Sequence, residues 1–145
     1  MNKLAPLRHD CENGENCFNK RYRLKFNTLN DAFPGNIALT DIDGAVGING
    51  CTLFIEWKSY RPNYTTGQEW MFLSLYKAAK VEGHIDTILV VGDAEHMTVE
   101  QYATIEDFPR SQKFGVKFKW QKADFDGLRK EIKNWADWAQ SQKKV

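Results

Sequence analysis

The chain has 145 residues, of which 42% are hydrophobic and 27% are charged, and its formal net charge is +1. This length suits one domain with a sizeable core, and the composition is that of an ordinary globular protein. No apolar run approaches the roughly 18 residues of a transmembrane helix, and the first residues lack the apolar region of a secretion signal. We therefore expect a cytoplasmic protein that does not enter a membrane.

We expect a single domain over residues 1–145, in which residues 1–17 form a mobile N-terminal segment. His9, Cys11 and Cys17 lie in or at the end of this segment and are of the residue types that bind zinc. A structural zinc site normally has four ligands, so free thiols are the alternative. Cys51 makes the cysteine count odd, which disfavours a disulfide framework.

Two basic clusters interrupt an otherwise balanced charge distribution. Both are interleaved with aromatic side chains, and each is either a track for a phosphate backbone or a solvated face. The first consists of Lys20, Arg21, Arg23 and Lys25, and the second of Lys113, Lys117, Lys119 and Lys122.

Residues 18–33 carry apolar side chains at roughly helical spacing and predict a helix that ends before Pro34.

Residues 40–59 contain the Asn49-Gly50 dipeptide between two β-type segments, which predicts a hairpin with a type I′ turn. In that register the numbers of paired residues sum to 99, so Asp43 lies opposite Glu56. Opposed Cβ atoms are about 4.5–5.5 Å apart, a spacing at which like charges repel. Two carboxylates held there require a proton or a cation between them. A bulge would shift the register by one and make Asp41 the ligand instead.

Side chains alternate between the faces of a strand, so Glu56 and Lys58 share one face. Mg²⁺ prefers carboxylate oxygens, with water and phosphate in its remaining positions, and Lys58 adds a positive charge where a phosphate would lie. The other Glu-x-Lys sequence, Glu131 to Lys133, falls in a helical pattern in which residues two apart do not face each other. Only the strand copy therefore predicts a metal site, and an inert polar hairpin face is the alternative.

A polar loop containing Arg61 and two tyrosines follows the hairpin and is a candidate substrate contact. Thr66 and Glu69 then have the spacing of a capping box, which predicts a helix that runs to Gly83. Residues 86–91 predict a strand that is buried on both faces. His96, which follows that strand, is a candidate base or an inert surface residue.

The remaining elements complete a mixed sheet in which a helical crossover leads to the third strand. Residues 99–105 and 114–120 predict two edge strands, and residues 124–142 predict a closing helix with an apolar inner side. The predicted fold class is α+β or α/β, with a mixed central sheet flanked by helices.

Asp43 followed by Glu56-Trp57-Lys58 resembles the motif of the PD-(D/E)XK nuclease superfamily, the fold of restriction endonucleases and several resolvases. Residues 33–58 together with Gly67-Gln68 are similar to small nuclease-like proteins encoded by bacteriophages. The resemblance implies a restriction-endonuclease-like fold and a Mg²⁺-dependent DNA endonuclease, with Mn²⁺ as a substitute ion. It also implies the host cell cytoplasm as the location and, by analogy, a homodimer.

The resemblance assigns a role to each site residue. Asp43, Glu56 and the backbone carbonyl of Trp57 would hold the metal, with Asp41 beside them. Lys58 would position the attacking water or neutralise developing charge, and Gln68 would orient phosphate or water. The alternative function is a binding module, a nuclease-like fold that grips nucleic acid or a protein partner and cleaves weakly or not at all.

Overall fold

A computed structural model of the chain describes residues 28–35, 42–80, 83–107 and 115–142. The chain divides into two compact units, Met1–Thr40 and Asp41–Val145. Within residues 28–35 of the first unit, the backbone forms a 3₁₀ helix over Asn30–Ala32. Several predictions lie outside the described residues: the zinc ligands His9, Cys11 and Cys17, the first basic cluster, Lys113, Asp41 and most of the helix over 18–33. They stay predictions, as does the single domain.

The described part of the second unit forms one sheet and two helices. In chain order these are β1 (Gly44–Ile48), β2 (Cys51–Lys58), α1 (Thr66–Ala79), β3 (His84–Asp93), β4 (Thr98–Asp107), β5 (Val116–Lys122) and α2 (Phe125–Ser141). The sheet order is β1-β2-β3-β4-β5, with β2 and β3 parallel and the other neighbours antiparallel. The fold class is therefore α+β, and it is consistent with the predicted restriction-endonuclease-like mixed sheet.

The parallel pair arises because α1 carries the chain from the end of β2 back to the start of β3. Two parallel strands need such a crossover, whereas antiparallel strands need only a turn. The predicted crossover is thus confirmed. Residues 87–92 of β3 are all buried, which confirms a strand covered on both faces.

Each face of the sheet carries its own apolar cluster, because alternate residues of a strand point to opposite sides. The cluster under α1 consists of Tyr64, Phe72, Leu73, Tyr76, Leu89, Val91, Ala103, Val116 and Phe118. The cluster under α2 consists of Leu53, Ile88, Val90, Tyr102 and Leu128, with Ile55, Trp57, Ile132 and Trp135 among the partly buried residues packed against it. Glu56 belongs to the α1 face and Trp57 to the α2 face.

Three predictions about individual elements need correction: the place of one strand in the sheet, the end of one helix and the residues that cap it. The strand predicted over 99–105 as an edge strand is β4, which lies between β3 and β5 and is therefore internal. The helix predicted to reach Gly83 ends at Ala79. Its capping box is formed by Thr65 and Gln68 and not by Thr66 and Glu69, because Thr65 has the extended backbone that an N-cap requires (φ −88°, ψ 152°).

The closing helix agrees closely with its prediction. Asp124 is its N-cap and accepts a hydrogen bond from the Gly127 amide at 2.8 Å. Leu128 and Ala139 on its inner side are buried. Neither described helix is long and apolar enough to cross a bilayer.

Candidate metal centre

The hairpin turn sets the register of the candidate site. Asn49 and Gly50 both have positive φ, 50° and 79°, as a type I′ turn requires. Ile48 pairs with Cys51, and the ladder continues without a bulge to Gly44 and Ile55. The predicted register is therefore confirmed from Ile48 to Gly44, and Asp43 and Glu56 are the residues that follow the last pair.

Asp43 is tied to the second strand by two hydrogen bonds. Its carboxylate oxygen Oδ2 accepts from the Trp57 backbone amide at 2.7 Å, and its own amide donates to Glu56 Oε2 at 3.3 Å. Asp43 is exposed to solvent. The structure thus brings Asp43 and Glu56 together at the end of the hairpin, with an exposed carboxylate beside a buried one.

Glu56 is a buried acid, with only 1% of its surface exposed. Burial raises the pKa of Glu56, and the neighbouring Asp43 raises this pKa further, whereas Lys58 lowers it. Lys58 Nζ lies 3.1 Å from Glu56 Oε1, so the two side chains form an ion pair on one face of β2 as predicted. Apart from this ion pair, Oε1 has no partner among the described residues.

Trp57 contributes its backbone to one side of the site and its side chain to the other. Its indole Nε1 donates to the carbonyl of Gly92 at 3.0 Å on the α2 face. Its amide points sideways from β2, towards Asp43 on the β1 side, and in an extended strand the carbonyl of the same residue points the same way. The Trp57 carbonyl, a predicted metal ligand, is therefore directed to the sheet edge at which Asp43 lies.

These groups fit a hard divalent cation. Two carboxylates and a backbone carbonyl are oxygen donors of the kind that Mg²⁺ selects. A buried carboxylate is costly unless a cation or a proton compensates it, and Lys58 is one cation beside two carboxylates. The donor chemistry and the repulsion between Asp43 and Glu56 both suit an ion held between them.

Gln68 has a structural role in α1. Its side-chain oxygen accepts from the Thr65 amide at 3.4 Å, and its own amide donates to Thr65 Oγ1 at 3.1 Å. These bonds close the capping box and hold the first turn of the helix. A role for Gln68 in orienting phosphate or water stays a prediction.

Tyr64 is one of the two tyrosines of the loop predicted to contact substrate, and it has a structural role that the sequence did not reveal. Its hydroxyl lies between β2 and β3, 2.6 Å from the carbonyls of both Glu56 and Val90, and accepts from the Val90 amide at 3.0 Å. A hydroxyl has one proton, so it donates to only one of the two carbonyls at a time. Tyr64 is 8% exposed, and burial strongly raises its pKa, which keeps the phenol neutral. It fixes the backbone of Glu56 from the side opposite Asp43.

A second cluster of polar side chains lies at the end of β3 and on the turn that follows it. His96 Nδ1 is 2.6 Å from Asp93 Oδ2, and Glu95 completes a set of three exposed side chains whose ligand atoms lie within 4.8 Å of one another. The hydrogen bond from His96 lowers the pKa of Asp93. Because all three side chains are exposed, this arrangement is an ordinary surface cluster, and the proposed use of His96 as a base stays a prediction.

Comparison of the chain with protein-family models, curated proteins and solved structures finds no match. The arguments for a function therefore come from the geometry of the hairpin site and from the resemblance of its motif.

Proposed function

We propose that this protein is a Mg²⁺-dependent DNA endonuclease of the PD-(D/E)XK type. One observation carries the proposal: Asp43 and Glu56 meet at the end of a hairpin, and Lys58 is ion-paired to the buried Glu56. A carboxylate pair beside an ammonium group is the set of charges that a metal-assisted phosphodiester hydrolase needs.

The two carboxylates and the Trp57 carbonyl would hold the ion, with Mn²⁺ as a substitute for Mg²⁺. A divalent ion bound there polarises a phosphate oxygen and lowers the pKa of a coordinated water. The Trp57 amide orients Asp43, and the Tyr64 hydroxyl holds the Glu56 backbone. These contacts keep both carboxylates in place before any ligand binds, which is the preorganisation that catalysis requires.

Lys58 is the group that faces the substrate phosphate in this proposal. Its side chain is 24% exposed, so part of it reaches solvent while the ammonium stays beside Glu56. When an ion neutralises Glu56, the Lys58 charge becomes available to stabilise negative charge on the phosphate or to position the attacking water.

Exposed basic side chains on the α1 face support DNA as the substrate. The guanidinium of Arg61 lies 4.7 Å from the ring centre of Trp120, and that ring lies 5.7 Å from the ring of Tyr64. Arg61 thus connects through two aromatic rings to the residue that holds Glu56. Lys122 on β5, which alternation places on the same face as Trp120, is also exposed. Such cations neutralise backbone phosphates, so the affinity for DNA should fall steeply with added salt.

A binding module is the second candidate, and the burial of Glu56 favours it. A glutamate that is 1% exposed and paired with its own lysine also describes a purely structural ion pair. In that case the fold would grip nucleic acid or a protein partner without cleaving it. The two candidates differ in whether a phosphodiester bond is broken.

The experiment compares supercoiled, linear and branched DNA in Mg²⁺ and in EDTA. Cleavage in Mg²⁺ alone that is lost in Asp43→Asn and Lys58→Ala supports the nuclease. The matched controls are Asp107→Asn and Lys80→Ala, which remove the charges of an exposed ion pair between β4 and α1 and should keep cleavage. No cleavage of any DNA by the wild type, with DNA binding retained, would support the binding module instead.

A further inference from the structure

A cavity of about 380 Å³ opens beside the candidate metal centre, between the end of the hairpin and α2. Its walls are mainly apolar and include Ile55, Trp57 and Phe125, and Asp43 lies on its rim. The volume is within the range of small-molecule sites, about 300–1,000 Å³. The cavity therefore shares Asp43 and Trp57 with the candidate metal centre while offering an apolar, aromatic surface.

The two aromatic residues of the wall differ in how they are held. The Trp57 ring is fixed by the hydrogen bond from its Nε1 to the Gly92 carbonyl at 3.0 Å. Phe125 is the first residue of α2, whose N-terminus is held by the Asp124 cap, and its side chain is 40% exposed. A planar ligand that enters would meet the Trp57 ring already in place, so that side chain loses little conformational entropy on binding.

The rim of the cavity carries a positive charge as well as Asp43. Arg129 lies one turn after Phe125 on α2 and lines the cavity with it. No described carboxylate forms a salt bridge with Arg129, so its guanidinium is available to a ligand. A ligand with a planar apolar group could contact the aromatic wall, and a negative charge linked to that group could pair with Arg129. A nucleotide is such a ligand.

We propose that this cavity receives one unpaired base of the DNA substrate, next to the phosphate that Asp43 and Glu56 act on. The inference rests on the proposed nuclease function and narrows its substrate to DNA that contains an unpaired or readily extruded nucleotide. Trp57 and Phe125 contact the base, and Arg129 contacts an adjacent phosphate. An unpaired base enters more readily than a paired one because less stacking and pairing are lost.

The test uses two DNA duplexes labelled with 2-aminopurine, one with the label in a single-nucleotide bulge and one with it paired. Ca²⁺ replaces Mg²⁺ so that binding is measured without cleavage. The wild type should bind the bulged duplex more tightly and change the fluorescence of the bulged label. Phe125→Ala should weaken binding of the bulged duplex by about fivefold or more, the loss expected for one stacking contact, and affect the paired duplex little.

The control variants separate stacking and charge from folding. Phe125→Tyr keeps an aromatic face and should restore the preference for the bulge. Arg129→Ala should weaken binding, whereas Lys130→Ala, which removes the adjacent cation on the same helix, should not. Circular dichroism establishes that each variant is folded.

The outcomes also distinguish this inference from the proposed function. A preference for the bulge that depends on Phe125, without cleavage of any DNA in Mg²⁺, upholds base capture and overturns the nuclease. Cleavage that depends on Asp43, with equal affinity for both duplexes and no change in Phe125→Ala, upholds the nuclease and overturns base capture. The second result would assign the cavity to another occupant, such as a protein partner.

Discussion

The carboxylate of Asp43 accepts a hydrogen bond from the backbone amide of Trp57 at 2.7 Å. This bond takes the place of the strand-to-strand bond that would come next, because the last backbone pair of the hairpin is Gly44 with Ile55. A side chain thus extends the ladder by one position. Asp43 is therefore oriented by the strand that carries Glu56, so the positions of both carboxylates are set by one hairpin.

The first prediction concerns the turn that sets the hairpin register. Gly50→Ala should lower the free energy of unfolding by about 1–2 kcal/mol, because a Cβ is unfavourable at positive φ. The φ of Gly50 is 79°. Urea denaturation measures the loss.

Gly67→Ala is the matched control for the turn. A Cβ at Gly67, in the first turn of α1, would lie 4.0 Å from its nearest neighbour, Thr65 Oγ1. Alanine is also the better helix former. This variant should be as stable as the wild type or more so. A Gly50→Ala protein as stable as the Gly67→Ala protein would contradict the requirement for positive φ at residue 50.

The second prediction concerns the hydroxyl between β2 and β3. Tyr64→Phe should destabilise the protein by about 1–3 kcal/mol, because the buried Val90 amide loses its hydrogen-bond acceptor. Tyr60→Phe removes the hydroxyl of a side chain that is 56% exposed and should change stability little. Thermal unfolding of the two variants makes the comparison, and a Tyr64→Phe protein as stable as Tyr60→Phe would contradict the role of the hydroxyl.

The third prediction concerns pH and the buried acid. Because burial raises the pKa of Glu56 in the folded state, this group favours folding below its unfolded pKa and loses that contribution as pH rises through its folded pKa. Without divalent ions, the stability of Glu56→Gln relative to wild type should therefore increase as pH rises through that window. Chemical denaturation from pH 4 to pH 8 measures the difference. The opposite slope would mean that the Lys58 ion pair outweighs the cost of burial.

The sequence predicted the hairpin accurately because its geometry is local. Asn49 and Gly50 determine the turn type, the turn type determines the register, and the register places Asp43 beside Glu56. The crossover helix and the buried third strand were equally accessible from their patterns of apolar residues.

The sequence did not reveal features that depend on contacts between distant residues. The hydroxyl of Tyr64 meets the backbone of Val90, 26 residues away, and this contact depends on how β2 pairs with β3. The internal position of β4 depends on its pairing with both β3 and β5. The cavity beside Asp43 exists only because α2 packs against the hairpin face that carries Trp57. Alternation of side chains along one strand contains none of this information.

The central claim is that Asp43 and Glu56 together hold one divalent ion, and a titration with Mn²⁺ followed by electron paramagnetic resonance tests it most directly. The account predicts one bound Mn²⁺ per chain in the wild type and in Asp93→Asn, its displacement by Mg²⁺, and its loss in Asp43→Asn and in Glu56→Gln. Wild-type binding by Asp43→Asn together with loss of the ion in Asp93→Asn would contradict the claim and move the metal to the exposed cluster after β3.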